Sequence, residues 1–116
     1  MTVLRPIAIL LLTLLCSTSY AAAPAARGYS ANTYLPGCQD FIRGSMTFFA
    51  GRCMGVVEVL NALNLDTKLF CTPEGTNTLQ LVRNIVGYLE ARPERMNEDF
   101  RLLANEALAK TWPCPK

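Results

Sequence analysis

Four cysteines constrain this chain more than any other feature of its sequence. The 116 residues include five cysteines, and the first, Cys16, directly follows an apolar N-terminal run typical of a secretory signal peptide. An even number of cysteines in a short exported chain indicates a disulfide framework. We therefore expect two structural disulfides in one small domain, formed by the remaining cysteines: Cys38, Cys53, Cys71 and Cys114.

The first 23 residues have the layout of a cleavable signal peptide. Arg5 supplies the basic start, residues 7–15 form the apolar run, and small residues follow at 21–23. This run is too short for a bilayer, which needs about 20 apolar residues. We expect cleavage after Ala21 or Ala23, a flexible leader over 24–31 and the folded domain over 32–116.

The chain contains no histidine, and this excludes several kinds of catalytic site. Ser-His-Asp and Cys-His nucleophile pairs, HExxH zinc sites and most imidazole-based metal sites all need that residue. The cysteines are 15, 18 and 43 residues apart, which fits neither a CxxC redox pair nor an all-cysteine zinc site. Five carboxylates are spread singly over predicted helix faces, so we expect neither enzyme activity nor a cofactor or metal: Asp40, Glu58, Glu90, Glu94 and Glu98.

The charge balance offers no electrostatic attraction for polyanions. Without the signal segment, ten basic residues face nine acidic ones, a net charge of about +1. We therefore expect no nucleic-acid partner. From the sequence we expect no second apolar stretch that is long enough to span a membrane. We therefore expect no stable membrane association after signal cleavage.

Apolar residues recur at helical spacing through most of the remaining chain, which predicts an all-α fold: a small bundle of four to five helices. Gly44 is expected to break the first helix. Asn77 and Gln80 have the spacing of a capping box at the start of a later helix. Pro93 is expected to be the first residue of the last helix.

Two glycines flank the second cysteine of the folded part. In "GRCMG", Gly51 and Gly55 lie four residues apart on one helix face, and each costs about 1 kcal/mol of helix stability relative to alanine. We expect close approach of another backbone beside Cys53. A kink or a binding notch is the alternative explanation.

Four cysteines allow three pairings, and the sequence does not choose among them. We favour Cys53 with Cys71, which would tether the polar segment 64–77, and Cys38 with Cys114, which would hold the C-terminal tail on the first helix. Pairing of Cys38 with Cys53 is the competing arrangement, provided that the first two helices form a hairpin at Gly44. In either case Cys114 is expected to be a structural link with Trp112 as a hydrophobic plug beside it.

Three stretches of this sequence resemble a known family: "YLPGCQDFI", "GRCMGVVEVL" and the segment from "FCTPEGTNTLQ" through "YLEARPE" to "TWPCP". They are similar to the Rap/Tai immunity proteins of bacterial type VI secretion systems. The resemblance runs from about Asn32 to Pro115, and its most specific parts are FCxPxGxxxxQ, YLExxPE and the closing ALxxxWPC. Arg52 stands where the family pattern has an aromatic residue.

The resemblance implies a periplasmic, disulfide-bonded helical domain, similar in fold to the acid-stress chaperone HdeA and often dimeric. Characterised members bind a peptidoglycan amidase effector and block its active-site cleft, a mechanism that needs no chemistry from the inhibitor. An HdeA-like acid chaperone and a carrier of small apolar ligands are the alternative functions.

A protein that plugs a cleft needs a rigid protrusion, and the polar, turn-rich segment 64–77 fits this need. We expect its polar residues to contact the partner: Asp66, Lys68, Glu74 and Asn77. Four aromatic residues are the candidates for a homodimer surface, with core packing as their alternative role: Phe48, Phe49, Tyr88 and Trp112.

Overall fold

A computed structural model describes residues 28–116 of the chain. Four α-helices follow one another: α1 (Ala31–Ile42), α2 (Phe48–Thr67), α3 (Thr78–Glu90) and α4 (Phe100–Thr111), with one 3₁₀ turn, Pro93–Arg95, between the last two. Within this described part there is no β-strand, only a single bridge between Ser30 and Asp99. The all-α prediction is confirmed, whereas the predicted signal peptide lies outside the described residues.

The helix boundaries follow from local sequence chemistry. Gly44 has φ +76°, the left-handed conformation that ends α1 and turns the chain toward α2. The Thr47 side chain then caps α2 by accepting a hydrogen bond from the Ala50 amide at 3.0 Å. The predicted capping box of α3 is present, with Asn77 and Gln80 each accepting a hydrogen bond from the other's backbone amide.

The last helix begins later than predicted. Pro93 opens the 3₁₀ turn, and α4 begins at Phe100 after the N-cap Asp99. Between these two points, two backbone carbonyls bond to α1 and not within a helix. The amides of Ala31 and Asn32 donate to the carbonyls of Glu98 and Met96 at 2.9 and 2.8 Å. These tertiary hydrogen bonds satisfy the first amides of α1, which an isolated helix leaves unpaired.

Part of the predicted leader belongs to the folded domain. Ala31 is fully buried, and the Tyr29 carbonyl accepts a hydrogen bond from the Phe100 amide at 2.8 Å. The Tyr34 ring stacks on Phe100 with a centroid distance of 4.5 Å. The ordered domain thus begins before Asn32, because the residues preceding α1 pair with the start of α4.

The preferred disulfide pairing was wrong, and the competing pairing of Cys38 with Cys53 is correct. These two cysteines are fully buried, their Cα atoms are 5.2 Å apart, and they join α1 to α2 inside a helical hairpin. Cys71 instead bonds Cys114, with a Cα–Cα distance of 4.8 Å. Because the hairpin turns Cys53 inward toward α1, it cannot reach the segment that follows α2.

The core lies where α3 and α4 close against this hairpin. Their buried residues are Leu81, Val82, Ile85, Val86 and Leu89 of α3 and Phe100, Leu103, Ala104, Ala107 and Leu108 of α4. α2 contributes less, since only Ala50, Cys53, Val57 and Asn64 are buried along its 20 residues. One side of α2 is therefore not needed by the core.

The expectation that no second apolar stretch is long enough to span a membrane is wrong, because α2 is long and apolar enough to do so by length and composition. Its mean hydropathy reaches 1.2, and it is the one such helix found among residues 28–116. Core helices of soluble proteins meet the same criterion. Here the buried Cys38–Cys53 disulfide holds one face of α2 against α1.

Candidate functional site

The segment 64–77 connects the end of α2 to the start of α3, as the sequence analysis expected. Lys68 ends α2 in the left-handed conformation, with φ 52°, and its amide donates to the Asn64 carbonyl at 2.9 Å. Lys68 is the one non-glycine residue with positive φ in the described chain. The left-handed conformation is unfavourable for a residue with a side chain, so interactions of the surrounding structure must stabilise it here.

A buried asparagine holds the beginning of this segment. The Asn64 side chain is 9% exposed, accepts a hydrogen bond from the Phe70 amide at 3.0 Å and donates one to the Phe70 carbonyl at 2.7 Å. The Phe70 side chain is fully buried in the core. Asn64 and Phe70 therefore fix the chain on both sides of the turn at Lys68.

The C-terminal tail holds the middle of the segment. The Cys71 amide donates to the Trp112 carbonyl at 2.8 Å, and Cys71 is bonded to Cys114. Trp112 is half-buried and packs against the core. The expected roles of Cys114 as a link and Trp112 as a plug are confirmed, although Cys114 holds the polar segment and not α1.

The tip of the segment is a hydrogen-bonded turn. The Thr76 amide and hydroxyl both donate to the Pro73 carbonyl, at 3.2 and 2.7 Å, and Gly75 has φ +83°. The capping box at Asn77 then starts α3 directly. Residues 68–77, the part of this segment that follows α2, thus form a short protrusion held at both ends. We call these residues the clamped loop.

Three of the four predicted contact residues are available on this surface. Asp66, Lys68 and Glu74 are exposed, the first in the last turn of α2 and the other two on the clamped loop. Asn77 is also exposed, but its side-chain oxygen accepts a hydrogen bond from the Gln80 amide at 3.0 Å. It is therefore occupied in capping α3.

The four aromatic residues proposed for a dimer do not form one surface. Phe48 and Phe49 are 79% and 54% exposed and meet edge to face, with centroids 5.5 Å apart. Tyr88 instead lies under the Arg92 guanidinium and donates to Glu106, while Trp112 packs on the core. Only the first pair presents apolar surface to solvent.

An open apolar groove, which we call the α2 groove, lies on α2 and was not predicted from the sequence. Its volume is about 560 Å³, and it is lined by Gly51, Gly55, Val56, Val59, Leu60 and Leu63, with Arg52 and Arg101 at its sides. Val59 and Leu63 are 58% and 56% exposed. Its apolar residues recur at helical spacing, and periodicity alone does not tell a covered face of a helix from an open one.

The expected close packing at Gly51 and Gly55 is wrong. A Cβ atom built at either position would have no neighbour within 4 Å. The close approach occurs on the other side of the disulfide, at Gly37, where a Cβ atom would lie 2.6 Å from the carbonyl carbon of Phe49. The two glycines of α2 form the floor of the groove, so the alternative explanation of a notch fits the structure.

Two arginines stand beside the groove, each stacked on a tyrosine. Arg52 lies over the Tyr34 ring and Arg101 over the Tyr29 ring, both 4.5 Å from the centroid. Arg52 also donates a hydrogen bond to the Gly28 carbonyl. Among the described residues, no carboxylate is within ion-pair distance of Arg52.

Arg101 does have an acidic partner. It pairs with Asp99, and this hydrogen-bonded contact holds the pKa of the Asp99 carboxyl below its usual value. The described residues hold no group of three or more side chains suited to a metal ion. The clamped loop and the α2 groove are two features of this surface that suit binding to another molecule.

Comparison with known proteins connects this architecture to a family. A family model described as Rap1a immunity proteins matches residues 11–114. The match covers most of the chain, including all four helices and both disulfides. No curated protein matches significantly, and neither does any solved structure.

Proposed function

The chain belongs to the Rap1a immunity protein family, and on that premise we propose that it neutralises a peptidoglycan amidase effector of a type VI secretion system by occluding the active-site cleft. The observation that carries this proposal is the clamped loop. It is fixed by Asn64 on one side and by the Cys71–Cys114 disulfide on the other. A protrusion ordered before binding loses little conformational entropy when it enters a cleft.

Inhibition by occlusion requires no catalysis by this chain. The absence of histidine from the whole sequence agrees with that mechanism. The three exposed polar residues near the loop, Asp66, Lys68 and Glu74, would supply hydrogen bonds and charges at the cleft rim. Such contacts set specificity and association rate more than raw affinity.

A periplasmic location is part of this proposal. Disulfides form and persist in oxidising compartments, and here two of them hold the domain together. The amidase substrate, peptidoglycan, lies in the same compartment in a bacterium with two membranes. An inhibitor exported to the periplasm would meet the effector where it acts.

A homodimer is a further part of this proposal. Phe48 and Phe49 are the best candidates for its surface because they expose two adjacent aromatic rings at the start of α2, beside the turn of the α1–α2 hairpin. Light scattering of the wild type and of a Phe48→Asp variant would test it. A mass that stays at one chain at micromolar concentration in the wild type contradicts the dimer.

The first experiment is a pull-down from periplasmic extract with the oxidised, processed chain as bait. We expect a peptidoglycan amidase to be retained and its activity to be lost when the chain is added. Glu74→Lys should weaken inhibition at least tenfold, whereas Glu94→Lys, exposed at the 3₁₀ turn, should leave it unchanged. Failure to retain an amidase, or retention without inhibition, would overturn the proposed function.

A further inference from the structure

The geometry points to the α2 groove as a second contact region for the effector, one that takes an apolar segment bearing a carboxylate. This inference rests on the proposed function and deepens it, because it assigns to the effector a surface outside the clamped loop. The effector would then be held by two adjoining parts of this chain: a polar loop at the cleft and an apolar groove beside it.

The size of the clamped loop argues for a second contact region. A stable protein complex buries roughly 800 Å² on each partner, contributed by about 20–30 residues. The clamped loop has ten residues, and one of them, Phe70, is buried in the core. Most of the interface must therefore come from surface next to the loop.

The α2 groove is continuous with the loop along one helix. Residues 52, 55, 59, 63 and 66 are spaced three or four apart, which places them on one side of α2. This row is about 21 Å long at 1.5 Å per residue. Asp66 lies one turn beyond Leu63, so a partner segment in the groove would be directed toward the loop.

The glycines of the groove are not explained by packing within this chain. Gly51 and Gly55 each weaken α2 by about 1 kcal/mol relative to alanine. A Cβ atom at either position would meet nothing within 4 Å, so neither residue is required by a contact in the described fold. The depression they form, flanked by exposed Val59 and Leu63, has the shape that receives an apolar anchor side chain from a partner.

The charges beside the groove identify the chemistry of that partner. The Arg52 guanidinium, held over Tyr34, has no carboxylate partner in the described part of the chain, and the one carboxylate paired with Arg101 is Asp99. A carboxylate on the incoming segment would form an ion pair with Arg52 beside Arg101. A second copy of the chain crossing at the two glycines would instead bring two Arg52 side chains together, which is unfavourable.

The test fills the groove without removing any contact. Gly55→Leu places a side chain where the structure has open space, and Gly87→Leu makes the same change on α3, where a Cβ atom also meets nothing within 4 Å. Both substitutions improve helix propensity. Against the purified amidase retained in the pull-down, we expect the Kd of Gly55→Leu to rise at least tenfold and that of Gly87→Leu to match the wild type.

Calorimetric titration and thermal unfolding should be measured on the same samples. If Gly55→Leu does not fold, Leu63→Ser gives the same test, because Leu63 is 56% exposed. Binding by the wild type that weakens more strongly with rising salt than binding by Arg52→Gln would support the predicted carboxylate. A Kd unchanged by groove variants overturns the inference while the proposed function stands.

Three other outcomes would also overturn it. Unchanged affinity together with a dimer that Gly55→Leu converts to monomer would assign the groove to a second copy. Unchanged affinity together with groove-dependent binding to vesicles of anionic phospholipid would assign it to a membrane surface. A wild type that binds no amidase at all would remove the proposed function and this inference with it.

Discussion

At Gly37 the contact between α1 and α2 leaves room only for a hydrogen atom. A Cβ atom there would lie 2.6 Å from the carbonyl carbon of Phe49, while at Gly51 it would meet nothing within 4 Å. We expect Gly37→Ala to lower the free energy of unfolding by about 2 kcal/mol through overpacking. Gly51→Ala should raise it by about 0.5–1 kcal/mol through helix propensity.

Urea denaturation of the two variants beside the wild type measures both effects. Opposite signs are the expected result, because the same added methyl group enters a closed contact in one case and open solvent in the other. If both variants are stabilised, the hairpin separates easily at Gly37 and the contact with Phe49 is not limiting.

Asn64 stabilises the fold and also holds the start of the clamped loop. Its side chain satisfies both backbone groups of the buried Phe70. Asn64→Leu leaves these two groups without partners, so we expect a loss of about 2–6 kcal/mol in unfolding free energy, at about 1–3 kcal/mol for each unsatisfied group. Hydrogen exchange at the Phe70 amide should also accelerate.

A substitution on the same helix, Asn61→Leu, is the matched comparison for Asn64→Leu, since Asn61 is only partly buried. It should leave both the stability and the Phe70 exchange rate close to wild type. Slow exchange at Phe70 in Asn64→Leu would mean that the disulfide alone holds the clamped loop.

At the scale of elements, the two disulfides differ in access to solvent. Cys38 and Cys53 are fully buried, whereas Cys71 is exposed and Cys114 half-buried. Thiol–disulfide exchange depends on access to the sulfur atoms. We expect a mild reductant to open Cys71–Cys114 first, as measured by alkylation and peptide mapping.

Removing either disulfide should cost a similar amount. Their separations of 15 and 43 residues correspond to about 3 and about 4 kcal/mol in the chain-entropy account. Only Cys71→Ala/Cys114→Ala is expected to weaken amidase inhibition, because only that disulfide holds the clamped loop. Equal losses of inhibition in both double variants would instead indicate a general effect of lower stability.

Local chemistry made some elements predictable from sequence and left others hidden. The capping box at Asn77 and the break at Gly44 depend on neighbouring residues, so sequence reasoning found both. The start of α4 depends on hydrogen bonds from Ala31 and Asn32, far away in the chain. The disulfide pairing likewise follows from how the helices meet, which spacing does not encode.

The candidate site was predictable in part for the same reason. Pro73 and Gly75 mark a turn, and this located the protruding segment. The α2 groove escaped notice because Val59 and Leu63 have the spacing of a core stripe, although no element covers them in the described fold. Only the positions of α1, α3 and α4, which all pack against α2, show which face of that helix stays open.

At the scale of the whole molecule, ion pairs determine how acid should act. Arg95 bridges Glu98 and Glu106, and its hydrogen bond holds the pKa of the Glu106 carboxyl below the ordinary 4.5. The hydrogen bond from Arg101 likewise holds the pKa of the Asp99 carboxyl below its ordinary 3.8. Carboxyls with a lowered pKa in the folded state stabilise it above their unfolded values, and this is lost as pH falls through the folded values.

We therefore expect the unfolding free energy to change little between pH 7 and 5 and to fall below about pH 4. Chemical denaturation at each pH, with a dye that reports exposed apolar surface, measures this. Glu106→Gln should reduce the loss of unfolding free energy between about pH 5 and pH 3. An HdeA-like chaperone would open in acid and hold unfolded proteins, so a closed, dye-free chain at pH 3 would argue against that alternative.

The order of the disulfides gives the molecule a particular covalent topology. Residues 38–53 form one closed ring and residues 71–114 a second, so the rings follow each other and do not interlock. A protease that cuts within either ring leaves the pieces covalently attached. A cut between Cys53 and Cys71 divides the domain in two, and that stretch carries both most of the α2 groove and the start of the clamped loop.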